Sequence, residues 1–297
     1  MVAHSPNMSS FVLNKMQAHG FGLEIAPYFD PFLFKKDFEN LFYTDYCSNS
    51  ELLEKAKKNP GFVGGGSLPE IDFVWIPGAA LSDCAPDGIR FDYAVASHVM
   101  EHVPNPIGWM NEVLATMVDG GRLALFLPHR RTNMDRDRNL TTFGELVGLW
   151  ASQPSVPTPT QVGDFLTNSI DIDRNEVLAG RAATAPGRCH YSDEEVVSFC
   201  TWVATTGRYL DVHCTVWEPG QFIDVIRRAT EAGLMNVDVS ETYDDMFEFA
   251  VILTKRGSPR LTPPRAGIEP AKEAAYGRFT KLQRWTNWKL FGRSQTL

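Results

Sequence analysis

The chain predicts an α/β fold, doubly wound around a mostly parallel sheet, and three features of the sequence carry that prediction. The stretch Phe91 to Arg131, FDYAVASHVMEHVPNPIGWMNEVLATMVDGGRLALFLPHRR, reads as strand, helix and second buried strand, the βαβ unit that makes a parallel pair. Short apolar runs at Phe21–Ile25, Leu41–Thr44 and Ile71–Ile76 precede it, each of strand length and closed by turn residues. The runs Val237–Val239 and Phe247–Thr254 follow near the end and complete the sheet as an antiparallel pair.

Within the central unit, Asp92 to Ala96 is apolar and stops at the polar group Ser97, His98, Glu101 and His102. Pro104 and Pro106 punctuate the chain before Ile107, Met110, Val113, Leu114 and Met117, which share one helical face. Asp119-Gly120-Gly121 predicts the end of that helix, and Arg122–Leu127 a buried strand. Polar residues that follow such a strand lie at the carboxyl edge of the sheet, where open α/β sheets place ligands.

FDYAVASHVMEHV, a helix, and then DGGRLALFLP resemble the fourth and fifth strands of class I S-adenosylmethionine-dependent methyltransferases. The resemblance covers residues 21 to 255 and implies a seven-stranded Rossmann-like sheet with S-adenosyl-L-methionine as cofactor. It is most similar to bacterial polysaccharide-linked methyltransferases, which share the turn LEI-x-P-x-x-x-P, here Leu23 to Pro31. In the family the first strand ends in an acid and enters a glycine-rich turn; Glu24 holds the acidic position, while Ala26, Tyr28 and Asp30 stand among the residues of the turn. Asp45 comes 21 residues after Glu24, near the interval at which nucleotide-binding α/β folds set an acid against ribose hydroxyls. A carboxylate accepts from both hydroxyls at once. The third strand lacks the family's adenine-binding acid, so backbone groups near Gly78 and Ala79 are expected there instead. The expected cofactor contacts are thus Glu24, Ala26, Pro27, Asp45, Gly78, Ala79, Ser97, His98 and His102.

The loop Pro128-His129-Arg130-Arg131 through Asp135 to Arg138 is similar to the group's PDKRYTFDHFR and implies an acceptor-binding mouth, with Arg131, Asp135 and Arg138 as substrate contacts. Asp211-Val212-His213 before Trp217 also matches that group, so His213 is expected to point back into the site. Methyl transfer from a sulfonium is an in-line displacement that mainly requires positioning. For a hydroxyl acceptor a base also helps, and histidine titrates in the working range; the candidates are His98, His102, His129 and His213, with His129, His213 and His98 put first.

Residues 139–210 interrupt the strand-helix rhythm and are expected to form a substrate cap, with helix signals at Phe143–Trp150 and Ser192–Thr206. This divides the chain into a methyltransferase core at 1–138 and 211–256, the cap, and a linker and C-terminal helix at 257–297. The glycines of 60–66 precede no Lys-Ser or Lys-Thr pair, which rejects a P-loop. Cys189, His190, Cys200, His213 and Cys214 match no zinc spacing, nothing supports magnesium at Asp135 or Asp137, and no metal is expected.

At 297 residues and 43% hydrophobic content the chain can bury a full core and an insertion. From Arg256 onward nine Arg and Lys face two Glu, so the tail carries +7 and the body −15, a body unsuited to phosphate backbones. A small-molecule, glycan or protein substrate is expected rather than nucleic acid. No stretch reaches transmembrane length, no signal-peptide pattern opens the chain, and five cysteines without a CxxC pair suit a reducing compartment. The protein is expected in the cytoplasm. Residues 269–291 interleave aromatic and basic side chains, as in a helix that docks on a partner or on the body, or lies on the inner face of an anionic membrane. The oligomeric state is not legible. Two other functions stay open: a catalytically silent methyltransferase fold serving as scaffold, and a nicotinamide oxidoreductase, against which the missing GxGxxG counts.

Overall fold

A computed structural model describes residues 4–58, 68–76, 78–179 and 191–264. Seven strands form one sheet: β1 (Gly22–Ile25), β2 (Leu41–Asp45), β3 (Phe73–Val74), β4 (Phe91–Ser97), β5 (Met117–Pro128), β6 (Val237–Asp244) and β7 (Glu248–Lys255), in the order β3-β2-β1-β4-β5-β7-β6. The first five are parallel, and β7 runs antiparallel to both its neighbours. Strand order reverses between β1 and β4, so their carboxyl ends open the crevice in which such sheets bind ligands.

Alternation along the central strands explains why both faces are covered. Tyr93 and Val95 of β4, Ala124 and Phe126 of β5, and Ala250 and Ile252 of β7 pack with Met8, Val12 and Met16 of α1 (Pro6–Met16). Their neighbours Ala94, Ala96, Leu123, Leu125, Val251 and Leu253 turn to the opposite face. There they meet α3 (Leu81–Cys84, which follows α2, Asn49–Lys58), α4 (Pro106–Ala115), α5 (Phe143–Ser152) and, after α6 (Pro159–Asn168), α7 (Arg174–Leu178) and α8 (Asp193–Thr206), α9 (Pro219–Ala232).

Several boundaries differ from the expectation. Helix α4 stops at Ala115, before Asp119-Gly120-Gly121, because Thr116 turns its N–H and its hydroxyl onto the Val113 carbonyl and Met117 already pairs with Phe91. Gly120, at φ +85°, then takes up the irregularity within β5. Strand β3 shortens from the expected Ile71–Ile76 to two residues.

The expected cap divides. Helix α5, started by a capping box of Thr142 and Glu145, buries Leu146 in the main core beside Phe143, Val147 and Trp150. Helices α6 and α8 form a separate cluster with Val162, Leu166, Val203, Val212 and Cys214; Ser192 and Glu195 cap α8, as the sequence predicted. The basic aromatic segment 269–291, Cys189 and His190, and the 60–66 glycine run lie outside the described residues. No helix among the described residues is long and apolar enough to cross a membrane.

Candidate functional site at the carboxyl edge of the sheet

Register sets the rim. Ile25 pairs with Thr44 on one side and Ala96 on the other, so Ala26, Asp45 and Ser97 leave the sheet at one level. Ala26 and His98, the first residues beyond the two central strands, both adopt left-handed backbone, φ +54° and +52°, and Tyr28 follows at +45°. This region suits glycine and strains other residues. The turn after β1 therefore keeps a glycine-like path without glycine.

Glu24 sits below this rim. Its carboxylate accepts from the backbone N–H groups of Phe32 (2.7 Å) and Leu33 (2.8 Å), folding residues 26–33 back over the strand. Burial raises its pKa to about 8 against those two hydrogen bonds. Glu24, expected at the cofactor, thus anchors the loop after β1 through both oxygens. Asp45 is different. It is buried, it accepts from the N–H of Tyr46 at 2.7 Å, and no side chain among the described residues hydrogen-bonds to it. Burial raises its pKa to about 6, with backbone hydrogen bonds and Lys55 opposing. Tyr28 lies near this carboxylate and packs edge-on against Phe29 at 4.6 Å.

At the β4 end, two residues that the sequence did not suggest complete the rim. Ser97 Oγ lies 3.0 Å from Nε2 of His4, His4 Nδ1 lies 2.8 Å from Glu248 Oε1, and His98 Nε2 lies 2.8 Å from Glu248 Oε2. His98 Nδ1 is 3.3 Å from Glu101 Oε1. Burial alone would lower the pKa of His98, but the hydrogen bonds and charges of Glu101 and Glu248 raise it to about 10. Those of His4 and His98 in turn lower Glu248 to about 2 against its burial. His98, expected as a base, thus lies between two carboxylates.

The third group forms where the chain passes over β4. Backbone N–H groups of Cys214 and Thr215 donate to the Glu101 carbonyl at 2.6 and 3.2 Å and hold His213 beside the 3-10 turn Met100–His102. His102 and His213 meet edge to face at 4.7 Å. Nδ1 of His102 is 2.9 Å from Asp211, and Nδ1 of His213 is 2.6 Å from Asp135 Oδ2. Glu101 is fully buried, and its Oε2 has no hydrogen-bond partner among the described residues.

The expected acceptor contacts have other partners. Arg138, buried, donates from Nη1 to Asp135 (2.6 Å) and from Nε and Nη2 to Asp164 (2.9 and 2.8 Å), tying the loop after β5 to α6. Arg131 is exposed and pairs with Glu218 at 2.8 Å, beside Arg130. Arg131, Asp135 and Arg138, expected at the substrate, are thus engaged in ion pairs within the protein. His129 faces the β6–β7 hairpin, with Nε2 3.6 Å from Asp244 and its ring against Phe249, and shares no partner with His98 or His213. Burial lowers its pKa. Gly78, at φ +86°, and Ala79, whose carbonyl accepts from Trp75 Nε1 at 3.1 Å, sit beyond β3. A cavity of about 490 Å³ lies next to the rim, lined by Asn133, Met134, Phe165, Ile170, Tyr191 and Phe247 among others. Three of these adjoin the rim: Met134 precedes Asp135, Phe247 precedes Glu248, and the Phe165 ring is 5.8 Å from that of His213.

Residues 12–153 match the model of a family described as a methyltransferase domain. No curated protein matches the chain. Among solved structures, it is similar to an S-adenosylmethionine-dependent methyltransferase from Mesorhizobium loti at 12% identity, covering 83% of this chain and 96% of that one with a TM-score of 0.40. A SAM-dependent methyltransferase from Methanosarcina mazei matches at 13% identity, 86% and 99% coverage and a TM-score of 0.39.

Proposed function

We propose, from the methyltransferase domain that residues 12–153 match, that this chain is an S-adenosylmethionine-dependent methyltransferase and that its acceptor is a small hydroxylated molecule of the sugar or glycan class. One observation carries the reading: Asp45 ends β2 as a buried carboxylate with no side-chain partner among the described residues, in register with the left-handed turn at Ala26 and with Ser97. A carboxylate left in that condition suits a vicinal diol, whose two hydroxyls both donate to it. When bound, S-adenosylmethionine supplies an activated methyl group. The chain's own residues orient it, exclude water and hold the acceptor.

The cavity between the loop after β5 and α6 mixes aromatic, aliphatic and amide surface, the lining that a monosaccharide-sized acceptor takes. In this reading His213, whose ring lies 5.8 Å from that of Phe165 in the lining, is the histidine nearest the acceptor hydroxyl. Titration calorimetry with S-adenosylhomocysteine tests the reading. Binding to the wild-type chain, weakened at least about tenfold by Asp45→Asn, or roughly 1.4 kcal/mol, is expected. No binding at millimolar nucleoside would leave a scaffold with this fold.

A further inference from the structure

We propose that Glu101, His102 and His213 form a binding site for one divalent first-row transition-metal ion. One ligating atom from each residue lies within 4.8 Å of the other two. Two imidazoles and a carboxylate are a donor set that zinc, iron, manganese and cobalt accept, and in a closed tetrahedral site such atoms sit about 3.4 Å apart. His102 is partly exposed, so its side chain can move to close that difference and an ion can enter past it.

Three observations favour an ion over a self-contained polar cluster. Glu101 Oε2 is buried without a hydrogen-bond partner among the described residues, a state that costs free energy unless something occupies it. Nδ1 of His213 is committed to Asp135 at 2.6 Å, leaving Nε2 as the nitrogen open to a ligand. A carboxylate behind a ligating imidazole fixes its ring and raises its basicity. Asp211 lies 2.9 Å from Nδ1 of His102, a charge contact without hydrogen-bond geometry.

A second grouping, His4, His98 and Glu248, makes the contrast. There both nitrogens of His4, both nitrogens of His98 and both oxygens of Glu248 already have protein partners. It is satisfied without an ion.

The test is equilibrium dialysis of the full chain against Co²⁺, read by elemental analysis and by the visible ligand-field absorption of bound cobalt, with Zn²⁺ as competitor. The expected result is one Co²⁺ per chain with a four- to five-coordinate spectrum, displaced by Zn²⁺ and weakened at least tenfold in both His102→Gln and His213→Gln but unchanged in His4→Gln. The metal-free thermal midpoint and far-ultraviolet circular dichroism of each variant establish that it is folded; should His213→Gln fail to fold, partly exposed His102 decides alone. No stoichiometric uptake by folded wild-type chain, or uptake insensitive to His102→Gln, or uptake lost in His4→Gln, overturns the proposal. None of these readings depends on methyl transfer, so the site stands or falls apart from the proposed activity.

Discussion

Asp135 joins two buried groups at once: its Oδ2 lies 2.6 Å from Nδ1 of His213 and its Oδ1 2.6 Å from Nη1 of Arg138. The loop after β5 is thereby fastened both to the segment over β4 and, through Asp164, to α6. Asp135→Asn keeps the shape and removes the charge, leaving the guanidinium with Asp164 alone. Breaking a buried pair from one side costs about 3–5 kcal/mol, so urea denaturation is expected to show a loss of that order. A loss under about 1 kcal/mol would mean that water reaches Arg138.

The clamp on His98 makes stability depend on pH. The folded histidine, raised from 6.5 to about 10, keeps its proton where the unfolded chain has released it. Its contribution is therefore complete below about pH 6.5 and falls away as pH rises toward 10. Glu24, raised by burial from 4.5 to about 8, adds a loss in the same direction over its own interval. Glu248, lowered to about 2, contributes above pH 4.5 and is lost toward pH 2. Denaturation midpoints should accordingly decline from pH 6.5 to 10, and His98→Gln should lower the midpoint at pH 6 while flattening the slope above pH 8, where Glu24 no longer contributes one. An unchanged slope there would remove His98 as its source.

The turn after β1 holds an alanine where the backbone favours glycine, Ala26 at φ +54°. Left-handed backbone costs a residue with a Cβ on the order of 1 kcal/mol, and a β-branched one more. Ala26→Gly should leave the denaturation midpoint at or above that of the wild type, and Ala26→Val should lower stability by about 1–2 kcal/mol. The reverse order would show that the strain is absent in solution.

Helix α5 belongs to the main core through Leu146, whereas α6 and α8 pack around Val203 and Val162. Leu146→Ala should cost about 2–5 kcal/mol in global unfolding. Val203→Ala, in the smaller cluster, should cost less and increase amide exchange in α6 and α8 ahead of the sheet. Equal costs with uniform exchange would indicate one cooperative unit.

Much of the fold was legible because its central strands are buried on both faces and read as unbroken apolar runs, as Asp92–Ala96 and Arg122–Leu127 do. The site was legible in part. Asp45 and Ser97 follow such runs directly, so position in the chain gave position at the rim. Glu248 and His4 were not legible: their contact spans 244 residues, one stands at the start of an apolar strand and the other in a weakly patterned leader to α1. Glu101 was in view within EHV, yet the 211–216 segment that hydrogen-bonds to its carbonyl is brought over it only by tertiary folding. The left-handed turns at Ala26 and Tyr28 were hidden because the usual signal, glycine, is missing. Arg131, Asp135 and Arg138 were legible as a run of charge, but their ion pairs within the protein were not. A dense run of charge looks alike whether it meets a ligand or other charges within the protein.

Glu248 opens β7, and that strand enters the sheet between β5 and β6. A growing polypeptide can therefore lay down its first five parallel strands while the seat for Ser97 and His98 still lacks its carboxylate. The carboxylate arrives only when the last hairpin enters its slot, and a one-residue slip of that hairpin would turn Glu248 to the other face of the sheet. The last strand of the sheet to be synthesised thus supplies the carboxylate that His4 and His98 share.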